Sequence, residues 1–569
     1  MRNYFYTCLH LLFCFCVLVS CNTTTSNSKE ANKPAIVYKV KPKHLKSFVK
    51  NDTLSNLALL EFFYEKNEMK PFWFSPDRTS DLNLYKHFIQ HIGNHGLNAS
   101  DYDYDAIQEI IPHEVDSAFL FKDWDKRTLI NNDIAISNSF IKLTYNLYKG
   151  VIDVPMSADS NWFHNPKDFN DDEFNTILDT LHGNGIVALI DHFNLNSSSN
   201  NKFRQELISL KKRYDNQGWP LVEYGESLKP NDVDQRIISV RERLLKQKFI
   251  DVNDSSLVYD GELEVAVKAF QKKFNLVNDG VIGKATIDAM NVPVSKRIES
   301  LVVSLERNRW LPLQYPNEYV VANIAGFNVR YYKGDTVFYA SKSIVGRYKR
   351  QTPAFHDTMT YVEINPYWTI PPTILEEDVI PKVLKDSSYL KNKNIRVLTK
   401  AGKEISPDSI DWTSVNPKRV PYKLKKDPGP YNDLGRIKFM FPNRHMIYFH
   451  DTPSRYLFAS NVTAFSSGCV RIQDPYDFAN ALFHGNERWG NDSIEVEINK
   501  GENKRIKLDH PVPVYIVYQT VWIDDDGDVI YGNDIYEKDS LIFSKLNYKL
   551  ESIETDLGEI IKTDSTLIQ

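Results

Sequence analysis

A thiol can act as a nucleophile only with help. It needs a base to take its proton, a group that orients that base, and donors for the negative charge that develops on the attacked carbonyl. The 569-residue chain has five cysteines, Cys8, Cys14, Cys16, Cys21 and Cys469, and the last stands far from the others in the run SSGCVRIQDP. The helpers have candidates nearby. The segment HMIYFHDT reads as an alternating strand, with Met446, Tyr448 and His450 on one face and Ile447 and Phe449 on the other. His450 falls at its end, nineteen residues before Cys469, where chain and loop meet. Gly468 allows close approach of backbone to a substrate carbonyl, and N–H groups around Ser467 and Gly468 could form an oxyanion hole. Arg471 could anchor the loop or take a substrate carboxylate in a bidentate grip. Asp451 could orient the histidine ring through its backbone carbonyl or its carboxylate. The competing reading is a buried, inert structural thiol.

The other cysteines narrow the choice. Residues 1–20 read as a secretory signal, with Arg2 at the start and nine apolar residues from Leu11 to Val19, too short to span a bilayer. The run Leu18-Val19-Ser20-Cys21 resembles a bacterial lipobox, in which Cys21 becomes the lipidated first residue of the mature protein. Residues 22–35 contain no Leu, Ile, Val or aromatic residue, and 21–36 read as a tether. The mature chain then has Cys469 as its one thiol and no internal disulfide. Composition adds exclusions: a net charge of −5 and no dense basic run argue against nucleic acid as a partner. No Cys/His cluster has zinc spacing, so no metal or other cofactor is implied. The 12% aromatic content suits large cores or a grip on elongated polar ligands.

The elements that must position these residues divide the chain. Residues 37–228 are helical by pattern, with Gly150 a C-cap, and read as a scaffold. Residues 229–292 give a compact three-helix module. Val233, Ile237, Val240 and Leu244 make one apolar stripe, and Leu263, Val267, Phe270 and Phe274 a second, before an Asp279-Gly280 turn. From 317 to 530 the texture is mostly β, interrupted at 371–429 by a charged, partly helical insertion of lid-like length. Residues 531–569 read as a polar C-terminal extension. The expected class is α+β multidomain.

Two segments resemble known families. AVKAFQKKFNLVNDGVIGKATIDAMN is similar to the small peptidoglycan-binding domain of cell-wall enzymes; the alternative is a module that packs on its neighbours and binds nothing. His450 with SSGCVR resembles the signature of L,D-transpeptidases, and GRYKRQTPAF, NPYWTIPPTI and DPGPYNDLGRIKFMFPN look like the large members of that family. Two departures stand out: Ser467 replaces a histidine common before Gly-Cys, and His450 is followed by Asp451 where many members have glycine. The resemblance implies Cys469 as nucleophile and His450 as base. It implies peptidoglycan stem peptides and glycan strands as partners, with a 3→3 crosslink formed through a thioester. Together with the lipobox-like run ending in Cys21, it implies a lipid-anchored place in the bacterial cell envelope, facing the periplasm. Tyr431 and Trp368 fall in family-like segments and could line the cleft. The same thiol chemistry with water or a D-amino acid as acceptor, and a non-catalytic wall-binding lipoprotein, are the alternatives.

Overall fold

The structure, a computed structural model, describes residues 38–49, 57–115, 124–152, 169–214, 219–252, 255–490 and 493–550. The signal, Cys21 and the whole of the tether lie outside the described residues, as does the chain beyond 550. The α+β multidomain organisation is present: a helical N-terminal region, a small helical module and a β-rich C-terminal domain. Among the described residues no helix is long and apolar enough to cross a membrane.

In the N-terminal region side chains start the long helices. Asp125 accepts from Thr128 N (2.8 Å), Asn170 from Glu173 N (2.9 Å) and Ser197 from Asn200 N (3.3 Å). Gly150 ends the helix Lys126–Lys149 with φ 89°. The core is aromatic, and the Asp133 carboxylate sunk in it is satisfied by Tyr64 Oη (2.6 Å), Phe72 N (3.1 Å) and Trp73 N (2.8 Å).

The module is built from helices Arg236–Lys246, Gly261–Lys273 and Lys284–Met290, with Ile237, Val240, Leu244, Leu263, Val267, Phe270 and Phe274 buried. Val233 departs from the expected stripe. Asp234 accepts from Arg236 N (2.8 Å), the helix starts after it, and Val233 is left 68% exposed in a bridge to Val258.

The C-terminal strands run as β1 (Glu318–Asn323), β2 (Asn328–Lys333), β3 (Thr336–Gly346), β4 (Phe355–Ile364), β5 (Trp368–Thr369), β6 (Arg396–Leu398), β7 (Glu404–Ile405), β8 (Lys423–Lys426), β9 (Ile437–Met440), β10 (Phe449–His450), β11 (Ala464–Ser466), β12 (Val470–Ile472) and β13 (Lys504–Val517). Nine of them form one sheet in the order β11-β3-β12-β10-β9-β4-β13-β1-β2, and β2 also pairs with β3. That extra pairing closes the sheet into a ring and removes its edges, with β11 added beside β3.

Residues 371–429 are more than a loop. β5-β8-β6-β7 is a separate sheet, and with the short helices from Pro372 to Lys385 it encloses its own core of Ile370, Val379, Ile380, Leu390, Val397 and Leu424. The extension also differs from a plain polar tail. After the hairpin β14 (Val521–Ile523) and β15 (Val529–Tyr531), the helix Asp539–Leu546 packs on the helix Val294–Arg309. Asp539 there accepts from Arg307 (2.7 Å) and Thr520 (2.8 Å), all three buried.

Candidate active site

Strand register assembles the site. Arg505 on β13 stands opposite Glu363 on β4, Glu363 opposite Lys438 on β9, Lys438 opposite His450 on β10, and His450 opposite Arg471 on β12. Directly opposed residues share a face of a sheet, so one polar row crosses five strands. The alternate positions Val362, Phe439, Phe449 and Val470 are fully buried on the other face. Tyr448 and Cys469 stand one step along from His450 and Arg471, joined by the bond from Val470 N to Tyr448 O (3.2 Å).

HMIYFHDT is strand only at Phe449–His450, which shortens the expected element. Asn443 is the cause. Its Oδ1 accepts from His445 N (3.0 Å) and Ile447 N (3.1 Å), its Nδ2 donates to Phe441 O and Ile447 O, and the turn so closed puts Met446 at φ 55°. Met446 is therefore a turn residue, not a partner of Tyr448 and His450 on a strand face.

The His450 ring is buried, and its Nδ1–H donates to the Asp451 backbone carbonyl at 2.5 Å. The carbonyl can only accept, so Nδ1 holds the proton and Nε2 carries the free lone pair. Of the two groups at Asp451 that could orient the ring, the carbonyl does so. The carboxylate instead accepts from Arg436 N (2.8 Å), Thr452 N (2.7 Å) and Arg455 (3.0 Å). It lies so close to Gly435, at φ 62°, that a Cβ there would come within 2.2 Å of Oδ2. Burial, and then the Arg471 charge, lower the His450 pKa to about 3, so the ring is a neutral base.

Cys469 is partly exposed, and its thiol donates weakly to Met446 O at 3.9 Å. Burial pushes its pKa up. Hydrogen bonds from Tyr448 and the charges of Lys438 and Arg471 pull it back down. Lys438 Nζ sits 4.0 Å over the Tyr448 ring, and that ring packs edge-on against His450 with centroids 5.7 Å apart. No described contact joins the Cys469 sulfur directly to the His450 ring. Nor does any described hydrogen bond or ion pair engage the Arg471 guanidinium, whose Nε is buried without a partner.

The nucleophile loop is held from several sides. Ser466 Oγ donates to Cys469 O (2.6 Å) and accepts from Gly468 N (3.1 Å). Gly468 takes φ 119°, which disfavours any side chain. This narrows one expectation: the Gly468 N–H is already used inside the loop, while no described hydrogen bond engages the N–H groups of Ser467 and Cys469. Thr352 Oγ1 donates to Gly468 O (2.7 Å) and accepts from Gly346 N (2.8 Å). Ser467 Oγ accepts from Arg350 (2.9 Å), which also pairs with Glu377 and Asp378 of the insertion.

Tyr448, Lys438, Thr352 and Arg350 are the residues sequence reasoning missed or left without a role. Alternation placed Tyr448 on the correct face. Lys438 is visible only through register, while Thr352 and Arg350 lie in GRYKRQTPAF with no chemical signature of their own. Tyr431 is 78% exposed, and Trp368 lies on β5 in the sheet of the insertion, with Lys426 Nζ 5.7 Å from its ring. No described contact brings either to Cys469. The acidic trio Asp524, Asp526 and Asp528 has the spacing to hold a metal, but Lys272 Nζ sits among the three at 3.5, 2.8 and 2.9 Å.

The site thus sets the one thiol among the described residues on a ring-closed sheet, beside a neutral histidine and two cations, and the comparisons place it in a known kind of domain. Residues 317–498 match the L,D-transpeptidase catalytic domain, 58–207 the "Scaffold domain" and 234–290 the "Putative peptidoglycan binding domain". Residues 317–498 therefore carry an L,D-transpeptidase catalytic domain. The "Putative L,D-transpeptidase" of Haemophilus influenzae is 30% identical over 282 residues, covering 48% of this chain and 56% of that protein. The match thus spans about half the length of that curated relative. A crystal structure of an L,D-transpeptidase from Xylanimonas cellulosilytica covers 52% of this chain and 99% of its own, at 13% identity and a TM-score of 0.17, too slight a likeness to carry argument.

Proposed function

We propose that the chain is a cysteine-dependent L,D-transpeptidase of the bacterial cell envelope, forming 3→3 crosslinks between peptidoglycan stems. The observation that carries the reading is the Cys469 thiol flanked by Tyr448, Lys438 and Arg471 within a domain of that family. Cys469 attacks the carbonyl at the L centre of the third residue of a tetrapeptide stem. His450 Nε2 takes the thiol proton and returns it to the amine of the departing D-alanine as the C–N bond breaks. The Cys469 N–H and the Lys438 charge favour the tetrahedral oxyanion, and Arg471, with no protein partner described, is suited to a substrate carboxylate. A side-chain amine of a second stem then attacks the thioester and expels the thiolate, which regains its proton. Lipidation at Cys21 belongs to the same proposal and is tested by fatty-acid labelling of the wild type and Cys21→Ala.

The test incubates the protein with tetrapeptide muropeptides and reads products by mass spectrometry. Dimers lacking one D-alanine, absent with Cys469→Ala, are expected. Tripeptide monomers alone would mean that water is the acceptor. No product at all, together with no carbapenem adduct on Cys469, would leave only a wall-binding role.

A further inference from the structure

Away from the Cys469 site, a cleft of about 460 Å³ opens between the small helical module and the β domain. That is within the usual range for small-molecule sites. One wall is the stretch Asn275–Asn278 that follows the helix Gly261–Lys273. The facing wall is the turn at Gly326–Asn328 with the middle of β3, and Ser460–Thr463 and Trp522 close it.

The cleft is preformed. Lys272 ties the module to the β14–β15 turn through Asp526 (2.8 Å) and Asp528 (2.9 Å), and Val277 N donates to Asn461 Oδ1 (2.8 Å) across it. Trp522 is seated against Gly532, where a Cβ would come 2.8 Å from its Cζ3, so its ring is a fixed surface.

The lining selects a ligand class. Asn275 and Asn278 offer amides that both donate and accept, Asn461 keeps its amide N–H groups beside the bond from Val277 N, and Trp522 offers an apolar face with one N–H. Among the described residues the side chains of Asn275, Asn278 and Lys342 are engaged by no hydrogen bond or ion pair. The remaining cations are neutralised, Lys272 by its three aspartates and Arg330 by Asp525 (3.0 Å), which disfavours a polyanion. The partner that fits is neutral, rich in hydroxyls and amides, with flat apolar faces.

We propose that this cleft binds the sugar backbone of a glycan bearing N-acetyl groups; that the strand is one carrying reactive stems rests on the transpeptidase reading above. Reach supports the link. Thr463 in the cleft and Cys469 are six residues apart, so their Cα atoms are at most about 21 Å apart even with the chain fully extended. An extended tetrapeptide covers about 14 Å by the same rule. The two lengths are of the same order, as a strand that is held in the cleft and presents a stem toward the thiol requires.

The test titrates the full chain with chitotetraose by calorimetry and follows, in parallel, acylation of Cys469 by a soluble tetrapeptide donor. Saturable binding is expected, at least tenfold weaker for cellotetraose, which lacks the acetamido groups. Asn275→Ala/Asn278→Ala and the cleft-filling Asn278→Trp should each weaken chitotetraose at least tenfold, with unchanged melting temperature and unchanged acylation by the soluble donor. No binding by the wild type, equal binding of the two sugars, or wild-type affinity in both variants would overturn the proposal. Absent acylation with the sugar binding intact would sink the transpeptidase reading while upholding the glycan site.

Discussion

His450 on β10 and Arg471 on β12 stand in register on adjacent parallel strands, and this adjacency reinforces what burial does to the protonation of the site. Burial disfavours the charged imidazole first, the neighbouring guanidinium makes a second positive charge costlier still, and the His450 pKa falls to about 3. The resting pair is then thiol and neutral imidazole. The rate of thioester formation should show no inflection near pH 6.5. It should hold level as pH falls from 7 to 5, lose activity only toward pH 3, and increase on the alkaline side as the thiol ionises. His450→Gln should lower the rate by roughly 10²–10⁴-fold, the usual worth of a general base. A pH–rate profile of stopped-flow acylation measures both, and a midpoint near 6.5 would refute the assignment of a neutral, desolvated ring.

Lys438 makes the complementary prediction. Its ammonium is one of the charges that lower the Cys469 pKa, from its place over the Tyr448 ring. Lys438→Met keeps most of the side-chain volume and removes the charge. Because only the thiolate alkylates, iodoacetamide labelling of Cys469 at neutral pH should slow by up to about tenfold, the equivalent of one pKa unit. An unchanged rate would mean that Tyr448 and Arg471 govern the thiol without Lys438.

Thr352 is expected to matter through backbone geometry. Its buried hydroxyl bridges Gly346 N–H and Gly468 C=O. Thr352→Val leaves both groups unsatisfied and should cost about 1–3 kcal/mol of stability, with slower acylation because Gly468 precedes the nucleophile. Thr352→Ser keeps the bridge and should restore both. Urea unfolding and acylation rates decide it, and equal behaviour of the two variants would argue against the bridge.

These residues mark where sequence reasoning stopped. Cys469 and His450 were legible because a lone thiol and a strand-end imidazole are recognisable by type. The helical module was legible because Leu263, Val267, Phe270 and Phe274 repeat at helical spacing within a single helix. Lys438, Glu363 and Arg471 come into one row only through pairings among β4, β9, β10 and β12, which no local pattern encodes. The sheet of the insertion was hidden for the same reason: β5 pairs with β8 across more than fifty residues. Whether Asp451 serves through its carbonyl or its carboxylate depended on a backbone turn and on the space left by Gly435.

Acid should destabilise the fold through buried histidines. The pKa of His95, lowered by burial and then by Arg204 and Arg309, is about 3 in the folded chain, like that of His450. The unfolded values lie near 6.5, so between pH 6.5 and 3 the unfolded chain binds more protons. Stability therefore falls as pH falls, by up to about 1.4 kcal/mol per pH unit for each ring. Asp133 acts in the opposite sense: burial raises its pKa to about 6, so its contribution is greatest below the unfolded value and is lost as pH rises through 6. Denaturant titrations at pH 7 and 5 should show a shallower pH dependence for His95→Gln than for the wild type. An identical slope would mean that the ring is solvated in the folded protein.

Arg350 links the insertion to the nucleophile loop. Its nearly buried guanidinium reaches Asp378 (2.5 Å), Glu377 and Ser467 Oγ (2.9 Å), and Arg347 adds a longer pair to Asp378 (3.4 Å). Glu377 and Asp378 lie on a π-helical turn, Leu375–Val379, a geometry that often marks functional positions. Removing one partner of such a cluster strands the others, so Arg350→Ala should loosen both ends at once. Amide exchange across 372–385 should quicken, and Cys469 acylation should slow by about tenfold or more, one decade of rate corresponding to about 1.4 kcal/mol. Ser467→Ala cuts only the loop end, so it should slow acylation slightly and leave exchange in the insertion unchanged. If Arg350→Ala alters exchange without touching acylation, the insertion is held by the β domain but does not set the nucleophile. If it alters acylation alone, the acidic pair is a surface contact and Ser467 is the only partner that counts.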